Sequence, residues 1–265
     1  MELEQRKEWN RQHKALNEII GKPGEHSRAV EQFLALHNWL YPAEMSGCGF
    51  LTYEDAVLEH LEEGTLRAYP APSPDTENSI AWHLWHLARV EDMTMNLLVA
   101  GGRQVFHEGS WPERLGIPFA HSGNAMGKRE IAELSAGIRM EELRAYRIAV
   151  GRQTRRIIAS LEPGAFREKV RPERVKRLFE EGAVLPEAKG IADYWAQKTL
   201  GGLVLMPATR HHLVHLNRCA QIKQRLQGGG VRSGEKRGGY YADGQAVEYG
   251  GNSGEPPADE GSGAG

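Results

Sequence analysis

The chain has 265 residues, 40% hydrophobic and 26% charged, with a formal net charge of -2 at pH 7 and a mean hydropathy of -0.53. No stretch reaches the roughly 20 consecutive apolar residues of a membrane span, and Met1 to Lys7 carries no apolar signal region behind it, so a cytoplasmic protein with no membrane partner is expected. Cys48 and Cys219 are the two cysteines, too few and too far apart for a disulfide framework or a Cys-rich zinc module, and the near-neutral charge gives no global case for nucleic acid.

In chain order, helical periodicity prevails and alternating strand patterns are scarce. An N-terminal pair over 3–20 and 25–40 is divided by Gly21-Lys22-Pro23-Gly24. The next helix begins at Thr52-Tyr53-Glu54-Asp55, with Thr52 as its cap, continues through Val57, Leu58 and Leu61, and is ended by the proline-rich 69–74. A second bundle helix is predicted over 77–100, closed by Gly101-Gly102, with Trp82, His86, Val90, Met93 and Leu97 on one stripe. A third, over 140–161, carries Leu143, Tyr146, Val150, Thr154, Ile157 and Leu161 and stops before Pro163-Gly164. Shorter segments over 172–181 and 191–199 fill the following crossover. The fourth helix is expected to start at Pro207, a residue suited to the first helical position, with Ala208, His211, His215, Cys219, Ile222 and Leu226 facing inward. The expectation is all-α: a four-helix bundle over 51–227, an N-terminal helical extension over 1–50, and a Gly-rich tail over 228–265 too poor in apolar residues to order itself.

Eleven histidines are the unusual feature. His211 and His215, four apart on one helix face, can converge on one metal ion. His86, which also interrupts an inward stripe on a helix expected to face the fourth, is the natural third ligand. Three imidazoles leave at least one coordination position open, as in catalytic sites. Without a metal, the same three rings would be hydrogen-bonded core histidines, and spacing alone leaves both readings open. His83 lies about sixty degrees around the helix from His86 and reads either as a supporting group or proton shuttle, or as an exposed residue. His212 is turned about a hundred degrees from His211 and is expected to be exposed. Candidate proton acceptors are His83, Glu91 and Asp92, although an Arg89/Glu91/Asp92 cluster also reads as a solvated face or an ion-pair network. Cys219 reads as a small core residue.

Between Arg139 and Arg177, twelve Lys and Arg stand against five Asp and Glu. This stretch could bind an anionic partner. The alternative is that Arg144, Arg147, Arg152, Arg155 and Arg156 line the outside of the third helix and pair with acidic helices such as 54–63.

The run Ser79-Ile80-Ala81-Trp82-His83-Leu84-Trp85-His86-Leu87-Ala88-Arg89-Val90-Glu91-Asp92, together with Arg210-His211-His212-Leu213-Val214-His215, resembles the DinB-like (YfiT-like) superfamily over about 52–226. The resemblance implies a four-helix bundle in which His86, His211 and His215 hold a divalent metal, zinc or nickel. It further implies a low-molecular-weight thiol as cofactor for transfer to a small-molecule substrate, with metal-dependent hydrolysis or a non-catalytic role as alternatives, and assembly as a homodimer.

Overall fold

A computed structural model of the chain describes residues 3–228. The expected Gly-rich tail lies, beyond Gly228, outside the described residues. Among the described residues there is no strand; extended pairing is limited to the isolated bridges Ser73 with Thr76 and Lys169 with Thr199. No helix there is long and apolar enough to cross a membrane.

The N-terminal pair is α1 (Leu3–Ile19) and α2 (His26–Asn38). They run antiparallel, since Trp9 donates its indole N–H to the Leu36 carbonyl and Gln32 donates to the Gln12 carbonyl. A single turn, α3 (Ala43–Ser46), follows. At α4 (Tyr53–Leu58) the expected cap forms: the Thr52 hydroxyl accepts from the Asp55 amide and the Asp55 carboxylate accepts from the Thr52 amide. The helix does not run on through Leu61, because the chain turns at His60, with φ of 52°, and resumes as α5 (Glu63–Arg67).

The central rod is α6 (Ile80–Asp92), which starts where Ser79 accepts from the Trp82 amide. All thirteen of its residues are buried. It continues as wider π-helical turns over Met93–Ala100 and ends at Gly101, where φ is 68°. A helix buried on every side must have neighbours on every side, and α6 packs against both α9 and α13, introduced below. The following connection holds α7 (Trp111–Leu115) and α8 (Lys128–Gly137), which periodicity did not predict. The third bundle helix is α9 (Met140–Ser160), with Leu143, Tyr146, Val150, Thr154 and Ile157 buried as expected. The crossover carries α10 (Pro172–Glu180) and α11 (Lys189–Ala196).

The fourth helix departs from the expectation at its start. Helix α12 (Leu200–Leu205), capped by Thr199, runs through π-helical turns at Met206–Arg210 directly into α13 (His211–Gln227), so Pro207 lies inside a helical rod rather than at its first position. Proline supplies no amide and its ring crowds the preceding turn. The wider turn makes room, and the carbonyls it releases are taken up: Thr209 donates to Val204 and Leu205, and His13 Nε2 lies 3.0 Å from the Leu205 oxygen.

The basic face of α9 is also not wholly outside. Arg147 is buried and forms a two-pronged pair with the Glu54 carboxylate, while Arg144 meets Glu44 and Arg155 donates to Leu34 and Asn38. Glu54 sits at the start of α4, whose apolar face packs on α13, so its partner is drawn inward with it.

Candidate metal centre

Helices α6 and α13 lie antiparallel, and their histidines meet in tiers. His86 Nε2 is 3.2 Å from His211 Nε2, and His83 Nδ1 is 2.8 Å from His215 Nδ1. The rings of His211 and His215, one turn apart on α13, have centroids 4.3 Å from each other. One ligand atom from each of His86, His211 and His215 lies within 4.8 Å of the other two, a group that could hold a metal ion.

The surroundings suit donor nitrogens. His86 donates from Nδ1 to the Ser122 carbonyl at 2.5 Å and is stacked on Trp82, with ring centroids 4.6 Å apart. That bond fixes its tautomer and leaves the Nε2 lone pair bare towards His211. A tetrahedral ion with bonds of about 2.0–2.1 Å sets two ligand nitrogens about 3.3 Å apart, close to the spacing of these two rings. With Nδ1 of His215 turned to His83, Nε2 is the nitrogen it can offer. The donor set and its spacing therefore fit a divalent ion.

Burial keeps the rings neutral. It pushes His86 down to about 4, against the opposing pull of the Ser122 carbonyl. It also holds His83, His211 and His215 well below the ordinary imidazole range, reinforced by neighbouring rings and by Arg218. A narrow cavity of about 10 Å³ opens onto His86 and His211, lined further by Val90, Asn124, Ile191, Trp195 and Pro207. Asn124 Oδ1 and Trp195 Nε1 are buried there without a partner. Neither residue was singled out by spacing, because both come from connections whose packing no periodicity encodes.

The other candidates are placed as follows. His83 is fully buried, engaged through Nδ1 with His215, while its Nε2 has no partner. Glu91 and Asp92 are fully buried rather than on a solvated face. Asp92 accepts from Arg89, Tyr146, Asn96 and the amides of Val105 and Phe106, a closed network that ties the π-helical turns to the following loop. Glu91 is gripped by His37 at 3.0 Å and His212 at 2.7 Å. Burial raises its pKa, but the two imidazoles outweigh that and hold it below the usual carboxylate range. His212 is accordingly not exposed, contrary to expectation. The N-terminal helices cover that side of α13, and the Tyr41 ring lies 5.2 Å from that of His212. His37 carried a readable signal: it stands four after Phe33 and eight after Ala29 on the buried face of α2. Cys219 is buried in the core and outside the triad.

A family profile of the DinB superfamily matches residues 51–217, well over half of the chain and including all three histidines of the triad. No curated protein matches the chain. On that match, and with a helical bundle that brings His86, His211 and His215 together, the chain belongs to the DinB superfamily.

Proposed function

We propose that the chain is a cytoplasmic metalloenzyme in which His86, His211 and His215 hold one zinc or nickel ion and which transfers a small thiol to, or from, a small-molecule substrate. The approach of His86 Nε2 to His211 Nε2, with His86 Nδ1 already committed to Ser122, carries the reading. Such an ion supplies Lewis acidity, so that a thiol bound at the open position is available as thiolate near neutral pH. His86 and His211 face the cavity and orient the reactant, while Val90, Ile191 and Pro207 keep its walls dry. His83 orients His215 through the Nδ1 contact and, with its Nε2 unengaged, is the side chain that can carry the thiol proton away. Glu91, locked between His37 and His212 and absent from the cavity wall, serves by positioning α13 rather than by moving a proton. The bundle over 51–227 is the catalytic body, and the helices of 1–50 brace it.

A metal-dependent hydrolase is the second reading, favoured by the size of the cavity. At about 10 Å³ it falls far short of the roughly 300–1,000 Å³ of ordinary ligand pockets and has room for about one water molecule. A purely anion-binding protein draws less support, since much of the basic face of α9 is spent on partners within the chain. The test is elemental analysis of protein purified without a His-tag, alongside His86→Ala and His211→Ala. Near-stoichiometric metal in the wild type and its loss in both variants is expected, and metal retained in both refutes the assignment. Metal-dependent conjugation of a thiol to an electrophile, against hydrolysis of an ester or amide, separates the two reactions.

A further inference from the structure

Two side chains of α6 reach the same loop. His86 and Arg89 stand three apart on one face of the helix. His86 donates from Nδ1 to the Ser122 carbonyl at 2.5 Å, and Arg89 donates to the Ala120 carbonyl from Nε at 3.0 Å and from Nη2 at 2.6 Å. The carbonyl that fixes the tautomer of His86 therefore lies two residues from one gripped by a fully buried guanidinium. Residues 120–123 belong to the connection between α7 and α8 and lie outside any helix, so contacts of this kind decide where the Ser122 oxygen sits.

Arg89 is itself held rigidly. Its Nη1 donates to Asp92 at 3.1 Å and to Tyr146 at 2.7 Å, and its Nη2 also donates to Gln104 at 2.8 Å. With the two bonds to Ala120, every N–H of the fork is engaged. At the other end of the loop the Ser122 amide donates to the Ala183 carbonyl at 2.8 Å, and the Gly123 amide donates to His121 Nδ1 at 3.1 Å. Gly123 has a φ of 85°, and a Cβ there would come within 2.6 Å of the Trp85 ring and 3.4 Å of the Trp82 ring. Trp82 is the ring stacked on His86. Glycine is what lets the loop lie this close to α6.

We propose that Arg89 is a positioning residue of the metal centre: through the Ala120 carbonyl it holds the loop whose Ser122 carbonyl orients His86, so that Nε2 faces His211. This rests on the metal reading above and adds to it a control from outside the ligand set. The path runs from Asp92 through Arg89 and Ala120 to Ser122 and His86, and every link is a hydrogen bond or the intervening stretch of loop backbone. A group that aligns a metal-binding imidazole acts on the orientation and basicity of the ring. Arg89→Lys keeps a positive charge for Asp92, but an ammonium has three donors on one atom and cannot span Asp92, Gln104 and Ala120 together. Gly123→Ala leaves Arg89 in place and lifts the loop off Trp85.

The experiment compares the full-length wild type with Arg89→Lys, Gly123→Ala and Ile19→Val, the last a core change in α1. Cobalt(II) affinity is read by competition with a chelator. Solvent exchange of the His86 Nδ1 proton is read by NMR of the metal-free protein, the signal being identified by its loss in His86→Ala. Arg89→Lys and Gly123→Ala should each bind cobalt about tenfold more weakly, as when a partner that aligns a ligand is disturbed, and should exchange the His86 proton faster. Ile19→Val should leave both readings at the wild-type value. Exchange at the wild-type rate in both folded loop variants overturns the assignment, as does an equal loss of cobalt affinity in Ile19→Val. Should Arg89→Lys not fold, Gly123→Ala decides by the same readings. Should the wild type bind no cobalt, the metal reading fails on its own. Proton exchange in the metal-free protein then still decides whether Arg89 governs His86: faster in Arg89→Lys supports the link, and unchanged refutes it.

Discussion

Glu91 and His212 are buried together with carboxylate Oε2 2.7 Å from imidazole Nε2, one residue from His211 of the triad. His37 closes the other side of the carboxylate at 3.0 Å and lies outside the stretch that the family profile matches. Through this one carboxylate the N-terminal helix α2 is tied to α13 beside the candidate metal centre. Glu91→Gln keeps the shape but turns one acceptor into an amide N–H facing an imidazole. The expected loss is about 1–3 kcal/mol, the range for leaving a buried polar group unsatisfied. Urea denaturation of wild type and variant measures it, and an unchanged midpoint would remove the bridge from the account of the site.

Arg147 and Glu54 form the second buried bridge, joining α9 to α4. Removing one partner leaves an uncompensated charge in the core, so Arg147→Met should destabilise the protein by about 3–5 kcal/mol. Arg147→Met combined with Glu54→Leu removes both charges and should recover most of the loss. A double-mutant cycle in denaturant measures the coupling. Additive losses would show that the two charges do not depend on each other.

The stripe containing Trp82, His86 and Val90 and the one containing His211, His215 and Cys219 were legible because each histidine breaks an otherwise apolar helical period. The same logic finds His37 after Ala29 and Phe33 once that face of α2 is read against it. His212 was misjudged for a physical reason. Angular position on an isolated helix indicates exposure only if one face is covered, whereas α13 is covered by α6 on one side and reached from the N-terminal segment on another, through Tyr41 and through His37 by way of Glu91. Pro207 was misplaced because a proline reads as a helix start unless the preceding turn widens, and the compensating Thr209 and His13 contacts depend on chain brought in from far away. Asn124 and Trp195 belong to connections, and their approach to His86 and His211 is a consequence of tertiary packing alone.

His83 is fully buried against His215 and has no partner at Nε2. If it orients His215, His83→Phe should weaken metal binding by about 10–100-fold, the usual cost of removing a partner that aligns a ligand. The metal-free variant should change little in stability, because the substitution removes the unsatisfied Nε2 of His83 but leaves Nδ1 of His215 without its partner. Competition with a chelator for cobalt and thermal melting of the metal-free protein give the two numbers. Unchanged metal affinity would make His83 a packing residue.

The pH dependence follows from the buried, neutral rings. His86 is pushed down to about 4 in the folded chain, with His83, His211 and His215 lower than the ordinary value as well, whereas an unfolded histidine titrates near about 6.5. Below about 6.5 the unfolded chain takes up protons that the native chain refuses, and stability rises with pH wherever the unfolded state binds more protons. The contribution of these rings is thus complete above about 6.5 and is lost as the pH falls towards the folded values. Metal-free protein should show a melting temperature that drops steadily between pH of about 6.5 and about 4, and zinc should steepen the drop because the ion and protons compete for the same nitrogens. In His86→Ala the metal-free slope should be shallower and the zinc effect absent. Melting curves across that interval, with and without zinc, provide the measurement. A flat wild-type profile would mean that the rings are not held neutral by burial.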